Sequence, residues 1–432
     1  MLAEMVWISN GSQVGMLSNP RHVLSFNDYA NMTAASVKTI KKDRKIPVSK
    51  LWKNDRRRKT VETMTFHAGE PPICRDPDGR NAFNIWRPIE RHTINDADLQ
   101  KHIEPFMVQV AYLFQDPTER DVFLDWLAHI EQLPGKLPHY GWLHIATNTG
   151  TGRNWLASVL SRVWRGYVAP NVDLPQLLRS DFNGTLAGRV LVIADEVQEG
   201  GGETPYRHAS RLKSLVNEET RNINPKYGRQ YREWNSCRWL VFSNHDNALP
   251  LVDTDRRWWV VRHRAAPRAP SDYSQLYGLL DDPEFINAVG VYLQGRNIRT
   301  FNPGERPPIN EAKRAIMDAS RSVLSQHAME LVKAWPCEVI TNGDVTDALR
   351  DSDEWAPTSV AVHRVMLEVG AIQYQNGKPV NVSGKSARCW ILRNMERWMN
   401  AAPYEIAAEI ERARKLGFGN DALEILANSK GR

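Results

Sequence analysis

Trp142-Leu143-His144-Ile145-Ala146-Thr147-Asn148-Thr149-Gly150-Thr151-Gly152-Arg153-Asn154 is a mostly apolar run closed by a glycine-bearing turn. The run predicts a buried strand, and Leu156, Val159, Leu160 and Val163 behind the turn fall on one helical face. Strand, glycine turn, helix is the order in which consecutive backbone N–H groups can line one concavity. Glycines permit the turn, and the helix N-terminus adds partial positive charge for a phosphate. The usual phosphate loop, G-x-x-x-x-G-K-[ST], is altered at three positions. Thr147 stands for the first glycine, Arg153 for the lysine and Asn154 for the magnesium-binding hydroxyl. Residues Thr147, Asn148, Thr149, Gly150, Thr151, Gly152, Arg153 and Asn154 are therefore the candidate phosphate-binding set. Arg153 keeps the charge in a bulkier fork, and Asn154 can offer Mg²⁺ an amide oxygen. Taken alone, the loop reads equally well as an unrelated strand-to-helix turn.

Downstream, Arg189-Val190-Leu191-Val192-Ile193-Ala194 predicts a second buried strand that delivers two adjacent carboxylates, Asp195 and Glu196. Asp195 suits a metal ligand acting through water, and Glu196 a base that polarises the attacking water. A third strand, Arg238 to Ser243, ends in Asn244, placed to reach a terminal phosphate, although the Asn244-His245-Asp246-Asn247 stretch also reads as turn chemistry. Between these strands, Ile223 to Arg232 predicts a β-hairpin with Lys226, Tyr227 and Arg229 near its tip. Cations beside an aromatic suit the phosphates and bases of a single strand, and a solvated hairpin without ligand is the plainer alternative. Arg256 and Arg257 precede another strand, Trp258 to Val261. Paired arginines there can project from a subunit edge toward a neighbour's phosphate or bind surface carboxylates.

The order Gly150-Thr151-Gly152-Arg153-Asn154, Ile193-Ala194-Asp195-Glu196, Lys226, Ser243-Asn244, Asp255-Arg256-Arg257 resembles superfamily 3 helicases. Among these it is similar to the phage and plasmid primase-helicase type related to the poxvirus primase-helicase. The resemblance implies an α/β fold with an AAA+-like P-loop NTPase core, ATP and Mg²⁺ as cofactors, and ATP held between subunits of a hexameric homo-oligomer. It also implies 3′ to 5′ translocation on single-stranded DNA through a central pore. Arg153 then stands in for the loop lysine, Asp195 and Glu196 for the metal and base carboxylates, and Asn244 for the sensor. Lys226 matches the pore-hairpin lysine, and Arg256 or Arg257 the finger acting in trans.

Around this core the chain divides into an N-terminal α+β region at 1–95, a helical collar at 96–135, the helicase core at 136–304, a winged-helix-like domain at 305–400 and a helical tail at 401–432. Asp116-Pro117 with Glu119 predicts the start of a collar helix whose buried face is Phe123, Trp126, Leu127 and Ile130. Two strand-like runs around Asn376-Gly377 predict the hairpin of the wing. Net charge +6 fits a polyanionic partner. Between Lys38 and Lys59, eleven Lys/Arg stand against Asp43 and Asp55, with Trp52 among them. Four isolated cysteines and the lack of a long apolar run point to a reducing cytoplasm with no membrane contact. The functional expectation is an ATP-dependent replicative DNA helicase of a phage or mobile element, any primase or polymerase being a separate partner. The alternatives are a catalytically weak nucleotide-binding initiator ring, and an NTPase that remodels protein or RNA.

Overall fold

The computed structural model describes residues 1–40, 44–195, 212, 214–226, 228, 230–245, 248–249, 251, 255–320, 323–349 and 358–416. They form two compact units, Met1–Ser320 and Arg321–Arg432. The first is built on five parallel strands: β1 (Gly141–Ala146), β2 (Val168–Ala169), β3 (Leu191–Ala194), β6 (Arg238–Ser243) and β7 (Trp258–His263). Their order across the sheet is β2-β3-β6-β1-β7. Strands β4 (Thr220–Ile223) and β5 (Tyr231–Trp234) form the separate antiparallel hairpin.

Both faces of the parallel sheet are covered, which is why its strands read as continuous apolar runs. Alternation then sorts the side chains. Trp142, Ile193, Leu240, Phe242, Trp259 and Val261 share one core with helices α1 (Asp96–Leu113), α2 (Pro117–Gln132), α3 (Arg153–Val163) and α6 (Pro283–Gly295). Leu143, Ile145, Val192, Trp239, Val241 and Val260 face the opposite way, toward α4 (Leu174–Arg179) and α7 (Glu311–Ser320). Each aliphatic burial of this kind contributes roughly 2 kcal/mol.

The helices expected as a collar, α1 and α2, thus form part of a layer packed directly on the sheet, with Phe114 and Phe123 stacked at 4.0 Å. Asp116 caps α2 through Thr118 N and Glu119 N, as its sequence predicts. Glu119 does not return to the cap; its carboxylate accepts a hydrogen bond from Asn310. Helix α7, expected with the C-terminal module, lies in the first unit because Ala312, Ile316 and Met317 are buried against the sheet.

The N-terminal region is α+β. Strands Leu24–Ser25, Gln13–Met16, Met5–Ile8 and Lys59–Val61 make one sheet, and Thr63–Thr65, Asn81–Asn84 and Ile73–Arg75 another. It is fixed to the core by the buried pair Arg91–Glu131 at 2.8 Å and by Arg87 N donating to the Tyr167 hydroxyl.

In the second unit, Val339–Thr341, Cys389–Ile391 and Ile372–Gln373 form a small antiparallel sheet beside five helices. Its hairpin, Val380–Val382 with Lys385–Ala387, turns at Ser383 and Gly384, both with positive φ, rather than at Asn376-Gly377. Asn376 and Gly377 instead lie in a tight turn of positive-φ backbone beside buried Tyr374, whose hydroxyl donates to Ala401 O. Helix Pro403–Lys415, expected as a tail, buries Ile406 and Ile410 in this core. Residues 417–432 of the expected tail lie outside the described residues. All four cysteines are free thiols, and no described helix is long and apolar enough to cross a membrane.

Candidate functional site

Because β3, β6 and β1 are the three consecutive parallel strands at the middle of the sheet, whatever follows each strand emerges at the same edge. The loop follows β1, Asp195 follows β3, and Asn244 follows β6. Gly150 and Gly152 take φ +70° and +83°, which L side chains rarely adopt. Gly152 also has no room for a side chain, since a Cβ there would sit 2.5 Å from Gln109 Nε2 and 3.0 Å from the Tyr273 ring. Helix α3 starts immediately afterwards, so its first N–H groups open toward the loop.

The loop is braced from behind. Gln109 on α1 donates to Thr151 O at 2.9 Å and accepts from the Arg268 guanidinium. Asn148 donates to Ala265 O at 3.1 Å. A cavity of about 240 Å³ lies in front, lined by Thr149 through Asn154, by Asp195 and Asn244, and by Tyr273 and Tyr277. Thr147 and Asn148, expected in the phosphate set, do not line it.

Arg153 is 7% exposed and ties the loop after β1 to the end of β6. Its guanidinium donates to Ser243 O and to Asn244 Oδ1, each at 2.7 Å. A fixed positive charge therefore stands at the loop, coupled to the residue expected to sense a terminal phosphate. Asp195 and Asn154 line the same cavity, one with a carboxylate side chain and one with an amide. Oxygens of these two types could hold Mg²⁺ together with water. Glu196 lies outside the described residues.

Two lining residues have no counterpart in the sequence reading. Tyr273 and Tyr277 sit one turn apart on α5 (Pro270–Gly278). Trp155 Nε1, on α3, donates to Leu276 O at 2.5 Å and holds α5 over the loop. Only the i, i+4 tyrosine spacing could have hinted at a shared face.

The β4–β5 hairpin forms as predicted, with exposed Lys226 in its connecting loop; Tyr227 and Arg229 lie outside the described residues. Its root is rigid. Arg221 and Glu233 form a buried pair at 2.7 Å, and Asn183 Oδ1 accepts from Asn224 N. Arg256 and Arg257 precede β7, at the opposite end of the parallel sheet from the loop. A six-residue strand spans about 20 Å, so neither arginine reaches the loop of the same chain.

Residues 145–257 match a family described only as a family of unknown function, DUF5906. The DNA primase-polymerase of Nitratiruptor phage NrS-1 is 25% identical over 258 residues, covering 59% of this chain and 35% of that protein. The match thus spans about a third of the relative's length. In fold, the chain is similar to an apo structure of the NrS-1 C-terminal region, with TM-score 0.62 and 18% identity over 90% of this chain and 95% of that one. A second form of that region gives 0.59 and 17% identity over 90% and 96%.

Proposed function

We propose that this chain is the motor of a phage-type DNA replication enzyme, an ATPase that uses Mg²⁺-ATP to move 3′ to 5′ along single-stranded DNA as a homo-oligomeric ring. The observation that carries the proposal is convergence. Arg153, Asp195 and Asn244, far apart in sequence, line one cavity at the carboxyl edge of three adjacent parallel strands. Strand β1 lies between β6 and β7, both later in sequence, so the loop opens at the kind of crevice where such sheets bind ligands. The similarity to part of a phage DNA primase-polymerase supports the biological setting.

In this reading the amides of Gly150 to Gly152 cradle the phosphates, with Arg153 supplying charge. Asp195 and Asn154 hold the magnesium, which neutralises charge on the phosphoryl group. Glu196 takes the proton of the attacking water, and Asn244 contacts the terminal phosphate. Tyr273 and Tyr277 offer aromatic faces to the base. Lys226, Tyr227 and Arg229 meet the DNA strand, and Arg256 or Arg257 reaches a neighbouring subunit's phosphate. The second unit is read as winged-helix-like, and a primase or polymerase activity as the motor's partner.

One observation favours a weaker motor. The Arg153 fork is already bonded to Ser243 and Asn244, so it delivers less to a phosphate than a mobile lysine. Steady-state ATP turnover with and without single-stranded DNA decides between the readings. DNA-stimulated turnover that Glu196→Gln lowers by ~100-fold supports the motor. ATP binding without turnover supports the nucleotide-binding ring, and absence of ATP binding rejects both.

A further inference from the structure

We propose that the β-ribbon formed by Val37–Ile40 and Arg44–Pro47, with the exposed cations Lys50 and Arg56 that follow it, is a binding site for duplex DNA. Among the described residues the two strands pair only with each other, and Lys38, Thr39, Lys45 and Pro47 are exposed. A two-stranded ribbon is marginal alone, but this one is anchored at its base. Val48 N donates to Ser36 O at 2.8 Å, and the helix that follows, Val48–Lys53, buries Trp52 against Trp7 and Tyr29.

The charges divide by task. Lys53 and Arg58 lie over the Trp7 ring at 5.4 and 4.9 Å and brace the module. Asp55 is matched by Arg57, with two hydrogen bonds of 3.1 and 2.8 Å that lower its carboxyl to about 2. Lys38, Lys45, Lys50 and Arg56 are exposed around it. Such a surface attracts a polyanion, and its aromatic content says which kind. From Val37 to Lys59 the sequence holds one aromatic, Trp52, and it is 3% exposed. Single-strand sites need aromatic platforms for unstacked bases, and this stretch presents none. A duplex asks only for phosphate contacts, and its major groove admits a two-stranded ribbon.

The same N-terminal region touches the root of the β4–β5 hairpin. Trp234 stacks on His67 at 4.7 Å, and Arg232 pairs with Asp78 at 3.0 Å. Duplex held by the ribbon is therefore held by the body that carries the hairpin.

The test is fluorescence anisotropy of the full chain with a labelled duplex and with the matching single strand, over a salt series. The variant Lys38→Ala/Lys45→Ala/Lys50→Ala/Arg56→Ala is compared with wild type and with a charge-preserving set, Lys38→Arg/Lys45→Arg/Lys50→Arg. The proposal expects the alanine variant to bind duplex at least ~10-fold more weakly, with the salt slope reduced by about 3 to 4, while the arginine set binds like wild type. It also expects single-strand affinity to change little. Unchanged duplex affinity in the alanine variant overturns the proposal, as does an equal loss on the single strand or a loss in the arginine set.

Discussion

Arg153 concentrates the chemistry of the site in one side chain, because it lines the cavity and also ties Ser243 to Asn244. Arg153→Ala removes both functions and is predicted to weaken ATP binding by about 2–3 kcal/mol, the scale of one charge-assisted contact, measured by calorimetry. Arg153→Lys keeps the charge without the fork, and its ATP affinity should stay near wild type with turnover equal or higher. An unchanged affinity in Arg153→Ala would remove the loop from phosphate binding. Asp195 and Asn244 were legible in the sequence because each is the first residue after a buried strand. Tyr273 and Tyr277 were not, since their position depends on α5 folding back onto α3 through the bond from Trp155 to Leu276. The direction of the Asn148 side chain was not legible for a similar reason, since it donates to Ala265 O, more than a hundred residues on.

At the scale of elements, two side chains separate support from action. Arg238 opens β6 yet is fully buried, and its guanidinium donates to Leu133 O, Pro134 O, Lys136 O and Ser236 O around the end of α2. Burial lowers its pKa to about 9. Arg238→Met would strand these carbonyls and is predicted to cost ~3–5 kcal/mol in urea unfolding. A loss below ~1 kcal/mol would show that water replaces the guanidinium there. The strand itself was legible from its apolar run, whereas three of the four carbonyls its arginine holds, those of Leu133, Pro134 and Lys136, are about a hundred residues away in sequence. Lys226 is the opposite case, exposed on a hairpin whose root is buried and paired. Lys226→Ala should leave folding and DNA-independent ATP hydrolysis intact while abolishing unwinding of a forked substrate. Preserved unwinding would assign Lys226 to solvent. The hairpin was visible from its glycine-centred turn, and Arg221 faces Glu233 across it, but its anchorage through Leu186 O and Asn183 joins segments about forty residues apart that only the fold brings together.

Across the molecule, the first unit carries buried histidines that bind protons poorly. Burial and nearby Arg238 push His129 down to about 3, and burial does the same for His144. The unfolded chain takes up these protons near pH 6.5, so acid favours unfolding. Stability is predicted to fall from about pH 6.5 toward pH 3, by up to about 1.4 kcal/mol per pH unit for each histidine. Urea midpoints at pH 7 and pH 5 measure this, with His129→Gln reducing the difference. The α/β class was readable from strand and helix periodicity alone. The boundary between the units was less so, because α7 is amphipathic in sequence without saying which body it covers. The central claim is that the loop, Asp195 and Asn244 make one nucleotide site. It is tested most directly by a structure of the full chain with Mg²⁺, a non-hydrolysable ATP analogue and single-stranded DNA. The account predicts the triphosphate over Gly150 to Gly152, Asp195 and Asn154 toward the metal, Asn244 at the terminal phosphate, and Arg256 or Arg257 arriving from a neighbouring subunit. Nucleotide bound elsewhere, or a loop that stays empty at saturating analogue, would contradict it.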